Sequence, residues 1–126
     1  MPVRLIFSIV VILIIGAVTK MVSQQIGFIA NNAEIMTASS EVHEIAKVVY
    51  IDYVSSSRNL SALSQNEFAA YLRKRVKIDD PTRDSAKDPW LMPYRIMVWQ
   101  YGGYEIRSAG PDLEFDTDDD IVAEGH

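Results

Sequence analysis

The chain has 126 residues, a formal net charge of −5 and no cysteine. This length suits one modest domain with an added anchor, and the missing cysteine excludes disulfides, thiolate metal ligands and thiol nucleophiles. An acidic chain also argues against a nucleic-acid partner, because phosphate contacts need clustered Lys and Arg. The basic run Arg73-Lys74-Arg75, followed by Lys77, is expected instead to form the solvated face of a helix.

The N-terminal segment is apolar, and no acidic residue precedes Glu34. The apolar run over residues 5–18 is shorter than the ~20 residues that cross a bilayer, but a span over residues 3–22 reaches that length. This longer span includes Lys20, whose ammonium group can reach the lipid interface. A cleaved signal peptide is the alternative, although Ile15-Gly16-Ala17 is a poor cleavage site. The sequence therefore predicts a retained single-pass anchor. The α-amino group and Arg4 lie before the apolar run over residues 5–18 and only Lys20 lies just after it, so the positive-inside rule favours a cytoplasmic N-terminus by one charge.

A long amphipathic helix is predicted behind the anchor. Apolar residues recur there at alternating spacings of three and four, which marks one helix face. Gly27 and Asn31-Asn32 are the expected places for a bend or local unwinding, and Ser55-Ser56-Ser57 is expected to end the helix. The apolar face consists of Ile35, Ala38, Val42, Ile45, Val49 and Tyr53. The charged residues Glu34, Glu41, Glu44 and Lys47 lie largely off it.

A second helix is predicted to begin after Ser64, which forms a capping box with Glu67. Asp79-Asp80-Pro81 is expected to end this helix, and the polar stretch over residues 79–89 is expected to be a loop.

A β-hairpin is predicted next, with strands over residues 94–101 and 104–108 joined at Gly102-Gly103. A two-residue turn there would pair Tyr101 with Tyr104. One face of the hairpin would then be apolar and need a packing partner, which the first helix supplies. That face would carry Met97, Trp99, Tyr101, Tyr104 and Ile106.

These elements predict an α+β fold in which a long N-terminal helix, transmembrane and then amphipathic, packs on a small antiparallel sheet. Residues 1–32 would form the transmembrane anchor and its helical continuation. Residues 33–126 would form one soluble domain.

The C-terminal segment is rich in acidic residues, with five aspartates between positions 112 and 120: Asp112, Asp116, Asp118, Asp119 and Asp120. These carboxylates repel one another unless a cation or solvent separates them. Ca²⁺ takes 6–8 oxygen ligands and suits such a loop, whereas Mg²⁺ prefers fewer protein ligands and Zn²⁺ prefers His or Cys. The segment is not an EF-hand, because Ile121 stands where that loop needs Gly. A disordered acidic tail is the alternative, against which Phe115 and Ile121-Val122 argue as apolar attachment points.

Nothing in the sequence requires an enzyme. The acidic loop offers carboxylate pairs, but no apolar surroundings are predicted that would separate their pKa values for acid–base catalysis. His43 stands alone in a helix, without a Ser or Cys nucleophile motif or a Gly-rich phosphate loop elsewhere. We therefore predict a non-catalytic protein, with an acidic-site hydrolase as a minor alternative.

Two segments of the C-terminal half together resemble the major (G-type) pseudopilins of type II secretion. The first is Asp88-Pro89-Trp90 with Pro93-Tyr94, and the second runs from Tyr104 to Asp112 and on to Asp118-Asp119-Asp120-Ile121. The order of elements over residues 33–121 also fits that family, so the resemblance implies a pilin-like fold.

In that family the second segment holds a structural Ca²⁺. The resemblance implies that Asp112, Asp118 and Asp120 are metal ligands, with Asp119 in reach and backbone carbonyls completing the shell. The sequence departs from the family at Leu91 and Leu113, where the relatives usually have Gly. It also shows neither the Gly-Phe cleavage point nor the early glutamate of the family's N-terminal helix.

The resemblance implies a pseudopilin-like structural component of a type II secretion or type IV pilus-like machine. The chain would lie in a bacterial inner membrane with its C-terminal domain in the periplasm. Its partners would be other pseudopilins or envelope secretion proteins, including further copies of the chain, and no nucleic acid. The departures in the N-terminal helix leave an alternative: a membrane-tethered binding module that does not polymerise and presents its domain to a secreted substrate or an envelope partner.

Overall fold

The computed structural model describes residues 3–126, without the side chains of residues 23–30. The chain divides into two compact units, one ending at Ala33 and the other covering Glu34–His126. The division predicted from the sequence lies one residue earlier, after residue 32. The fold class is α+β as predicted, with an N-terminal apolar helix and further helices packed on a three-stranded antiparallel sheet.

The first helix, α1, covers Val3–Val49 and contains the predicted anchor. Its segment Val3–Val22 has a mean hydropathy of 2.6, and none of it is buried within the chain. Ser8 and Thr19 donate hydrogen bonds to carbonyl oxygens four residues earlier, at 2.9 Å each, so their hydroxyls are satisfied within the helix. This part of α1 is long and apolar enough to cross a membrane. The helix continues through Gly27 and Asn31-Asn32, so the local unwinding expected there does not occur.

The second unit contains the C-terminal part of α1 and all the remaining elements. A π-helical turn, Tyr50–Val54, follows α1, and a short 3₁₀ helix, Leu60–Ala62, precedes the second α-helix. Neither short helix is predicted from the sequence. The α-helix α2 covers Gln65–Arg75, and the strands are β1 (Arg95–Val98), β2 (Tyr104–Ser108) and β3 (Ile121–Gly125). β2 lies in the middle of the sheet.

The second α-helix begins as predicted but ends earlier. Ser64 accepts a hydrogen bond from the Glu67 amide at 3.2 Å, which confirms the predicted N-cap. The helix stops at Arg75 because Val76 adopts an extended conformation and buries its side chain in the core. A β-branched residue favours that backbone, so the helix ends before the expected stop at residues 79–81.

The predicted register of the hairpin is wrong. Val98 pairs with Tyr104 and Ile96 with Ile106, whereas the predicted two-residue turn pairs Tyr101 with Tyr104. The Trp99 amide donates to the Gly103 carbonyl at 2.7 Å, which closes a three-residue turn with Gly102 at φ 92°. The register therefore shifts by an odd number of residues, and the side chains of β1 exchange faces.

This shift decides which residues of the hairpin are buried. Ile96 and Val98 pack against the core in place of Met97, Trp99 and Tyr101. Tyr101, at the tip of the turn, is 97% exposed. Tyr104 and Ile106 are buried as predicted.

The core of the second unit lies between α1, α2 and the sheet. The apolar face predicted for the helix is confirmed, because all its members are buried except the half-buried Ile35. Tyr104 attaches β2 to α1 through a hydrogen bond from its hydroxyl to the Ala46 carbonyl at 2.6 Å. The buried core cluster runs from Val42 to Ala123, so this unit contains its own core and is expected to fold by itself.

The acidic segment ends in a strand. β3 pairs antiparallel with β2 over five residues, from Ser108 opposite Ile121 to Tyr104 opposite Gly125. The sequence predicts that Ile121 and Val122 attach the segment to the domain, but not that they do so as part of a strand. Residues 109–120 are thus a loop between two neighbouring strands rather than a free tail.

Candidate metal centre

The acidic loop, residues 109–120, has a glycine at its second position, which no other residue can replace without a shift of the backbone. Gly110 has φ 76°, and a Cβ atom there would lie 2.2 Å from the carbonyl oxygen of Asp119. The start of the loop therefore packs directly on its end. Two further turns shape it, through hydrogen bonds of 3.2 Å from Leu113 to Gly110 and from Asp120 to Thr117.

Two of the predicted metal ligands meet at one threonine. The Thr117 hydroxyl lies 2.6 Å from Asp112 Oδ2 and 3.3 Å from Asp120 Oδ1, and 3.2 Å from the Glu114 carbonyl oxygen. A hydroxyl has one proton and can donate it to one of these three acceptors at full strength. Three acceptor oxygens, two of them from carboxylates, therefore share the single proton of the Thr117 hydroxyl.

This set of oxygens fits the chemistry of a hard cation such as Ca²⁺, which binds carboxylate, carbonyl and hydroxyl oxygens. The other two predicted ligands, Asp118 and Asp119, have exposed side chains on the same loop. Among residues 3–126, no three acidic or histidine side chains are grouped closely enough to hold a metal ion by themselves. The four-aspartate ligand set stays a prediction, of which the structure brings Asp112 and Asp120 together.

An arginine on β2 lies against the same loop. Arg107 Nη1 is 2.7 Å from Asp120 Oδ2, and its Nη2 is 2.7 Å from Glu105 Oε1. Asp120 Oδ2 also accepts a hydrogen bond from the Asp116 amide at 2.7 Å. Burial alone would raise the pKa of Asp120, but the Arg107 guanidinium and the backbone hydrogen bonds outweigh it and lower that pKa. Asp120 is thus held as a carboxylate.

Phe115 attaches the loop to β1, as the sequence predicts. The guanidinium of Arg95 lies 3.7 Å from the centroid of the Phe115 ring, in cation–π geometry. Arg95 also lies 3.9 Å from Asp116 Oδ2. Since Asp116 has φ 66°, the backbone of the loop is held here in a conformation that non-glycine residues rarely adopt.

A second polar cluster fixes the start of the loop. Asp88 is fully buried and accepts hydrogen bonds from Ser108 Oγ at 2.7 Å, the Trp90 amide at 3.0 Å and the Met92 amide at 2.9 Å. Ser108 ends β2, immediately before the acidic loop. Burial raises the pKa of Asp88, although the three hydrogen bonds to its carboxylate act in the opposite direction.

Sequence reasoning misses several residues of these clusters. The role of Thr117 is not predictable from the sequence, because an isolated threonine in a loop is common and forms no recognisable motif. Glu41, predicted to lie off the apolar face of α1, instead forms a buried ion pair with Arg83 and accepts a hydrogen bond from the Tyr94 hydroxyl. A signal for Glu41 exists: it lies three residues after Ala38 and four before Ile45, at the edge of the buried face.

No family model matches the chain, and no curated protein or solved structure matches it.

Proposed function

We propose that the chain is a pseudopilin-like structural component of a type II secretion or type IV pilus-like envelope machine, with a structural Ca²⁺ in its acidic loop. The proposed role is mechanical rather than catalytic. The apolar segment Val3–Val22 would anchor the chain in a bacterial inner membrane and leave the second unit in the periplasm. The order of anchor, long helix, short helix, sheet and acidic loop supports this proposal.

One contact carries the proposal: the hydrogen bond between Asp88 and Ser108 at 2.7 Å. These residues belong to the two separate segments on which the resemblance to pseudopilins rests. They are far apart in the chain, yet in the structure one buried carboxylate joins them at the start of the acidic loop. A chance resemblance of two unrelated segments gives no reason for such a contact.

The proposed calcium donors are Asp112, Asp120, the Thr117 hydroxyl and the Glu114 carbonyl, because the Thr117 hydroxyl lies within 3.3 Å of an oxygen atom of each of the other three. The exposed Asp118 and Asp119 are proposed as further donors. When bound, Ca²⁺ would neutralise the carboxylates that crowd the loop. It would stabilise the folded domain, because the unfolded chain does not hold these oxygens together.

Calcium binding is tested by thermal unfolding of residues 34–126 with excess Ca²⁺ or excess chelator. At a free concentration one hundred times the Kd, binding adds about 2.7 kcal/mol to the free energy of unfolding, which is easily measured as a rise in Tm. Asp112→Asn and Thr117→Val should reduce this rise. Asp79→Asn is the matched control, since it removes a carboxylate from another loop. An equal Tm with and without Ca²⁺ in the unaltered domain would exclude the calcium site.

The role in an assembly is tested by disulfide crosslinking in cells. The chain has no cysteine, so a pair introduced at Ile9 and Val18 is the only thiol pair available. A filament should give ladders of many crosslinked subunits.

The alternative is a membrane-tethered module that does not polymerise and binds a secreted substrate or an envelope partner. It is favoured by one observation: no acidic residue precedes Glu34, so the apolar helix lacks the glutamate that the resemblance leads one to expect. Crosslinking that stops at dimers would support this alternative and exclude the filament.

A further inference from the structure

Arg107 is surrounded by three carboxylates. Besides its contacts of 2.7 Å with Asp120 and Glu105, its Nη1 lies 3.7 Å from Asp116 Oδ1. The Arg107 side chain is 21% exposed, and those of Asp120 and Glu105 are 3% and 8% exposed. One cation thus lies between two nearly buried anions and a third, exposed one.

Arg107 balances part of the negative charge of the acidic loop with a positive charge that belongs to the protein itself. A buried carboxylate without a partner is strongly destabilising, and two in one place would also repel each other. Arg107 neutralises part of this charge and binds Oδ2 of Asp120. The other oxygen of Asp120, Oδ1, faces Thr117 and the proposed calcium donors. Asp120 therefore lies between an internal cation and the place proposed for an external one.

We propose that Arg107 is the internal counter-cation of the acidic loop, and that it competes with Ca²⁺ for the charge of Asp120 and so sets the calcium affinity. The inference rests on the proposed calcium site. Arg107 lets the loop fold without a metal, and its positive charge, next to a ligand, opposes the arrival of a second cation.

The direction in which calcium affinity changes when Arg107 is removed distinguishes a competing cation from a residue that only positions Asp120. If Arg107 only held Asp120 in place, its removal would release a ligand and weaken calcium binding. If it acts as a competing cation, its removal strengthens binding while the metal-free protein loses stability. The two ideas predict opposite changes in the Kd.

The experiment uses the full chain in detergent micelles, with Ca²⁺ affinity measured by titration calorimetry and Tm measured in excess chelator. For Arg107→Gln we expect a lower Tm in chelator and a Kd for Ca²⁺ that is tighter by on the order of ten-fold. For Glu105→Gln we expect weaker calcium binding, because Arg107 then loses one of its anions and its charge acts more strongly on Asp120. Arg73→Gln is the control, since Arg73 pairs with Asp84 on another element and should leave the Kd unchanged.

Each outcome decides the matter. An equal or weaker affinity in Arg107→Gln, with calcium binding by the unaltered chain, overturns this inference and leaves the proposed calcium site standing. Binding by Arg107→Gln but not by the unaltered chain supports the inference and removes the calcium site from the native function. No binding by either overturns both. If Arg107→Gln does not fold in chelator, Glu105→Gln decides, and an unchanged or tighter Kd in that variant overturns the inference.

Discussion

The buried carboxylate of Asp88 allows the sharpest prediction about stability. Replacing it with alanine removes the acceptor of three hydrogen bonds, from Ser108 Oγ and the amides of Trp90 and Met92. The serine hydroxyl can turn to another acceptor, but the two amides cannot. Asp88→Ala should therefore separate the segment around Asp88 from the start of the acidic loop.

The magnitude follows from the two partly buried amides, those of Trp90 and Met92, that lose their acceptor. An unsatisfied buried donor costs about 1–3 kcal/mol; at about 1.5–2 kcal/mol for each of these two partly buried amides, Asp88→Ala should lose about 3–4 kcal/mol of unfolding free energy. For a domain of this size that loss corresponds to a fall in Tm of roughly 12–30 °C. Ser108→Ala removes the hydrogen bond to Asp88 and the 3.3 Å hydrogen bond that Ser108 Oγ accepts from the Gly110 amide. It leaves the Trp90 and Met92 amides satisfied, so it should cost about 1.5–3 kcal/mol.

Asp88→Asn is the matched control. Its amide oxygen can accept both backbone hydrogen bonds, and its amide nitrogen can donate to Ser108 Oγ. The cost should stay below about 1 kcal/mol. Because the folded-state pKa of Asp88 is raised, the native protein binds its proton more tightly than the unfolded chain does. Asp88 therefore contributes less to stability as pH rises through that pKa, and the asparagine variant should improve relative to the original with rising pH.

The assay is urea or thermal unfolding of residues 34–126, followed by circular dichroism at several pH values. The loss of unfolding free energy should be largest for Asp88→Ala, smaller for Ser108→Ala and smallest for Asp88→Asn. A loss below about 1 kcal/mol for Asp88→Ala would mean that the two amides find other partners, and the reasoning from unsatisfied donors would be refuted. Equal losses for alanine and asparagine would refute it as well.

Two further predictions concern strain and acid stability. Leu91 and Leu113 have φ values of 67° and 62° and exposed side chains, so Leu→Gly at either position should raise the free energy of unfolding by up to about 1 kcal/mol. Leu→Ala keeps the Cβ atom and should bring no such gain; equal Tm values for the two variants would exclude strain. At Asp52, hydrogen bonds from Arg75 and Tyr71 lower the pKa. Its contribution to stability is complete above the ordinary value of 3.8 and is lost as pH falls through the lowered pKa, so Asp52→Asn should be less stable at neutral pH and lose less Tm on acidification. Parallel curves of Tm against pH would contradict this.

The sequence alone determined the elements whose signals are local. The apolar segment of 20 residues at the front, the three–four spacing of the α1 face and the Ser64 cap each follow from neighbouring residues, and the structure confirms them. The α+β class follows from their order. The place of the acidic loop after β2 is also local information, because glycine and aspartates mark it.

Tertiary structure decided what depends on distant partners. The hairpin register depends on which face of β1 packs against the core. The turn is one residue longer than predicted, and as a result Ile96 and Val98 lie on the buried face. Asp88 with Ser108, and Arg107 with Asp120, are contacts between residues far apart in the chain, so no local pattern reveals them. The sequence supplies the oxygens of a cation site, but only the folded loop brings Asp112, Thr117 and Asp120 together, because β2 and β3 must first pair to close it.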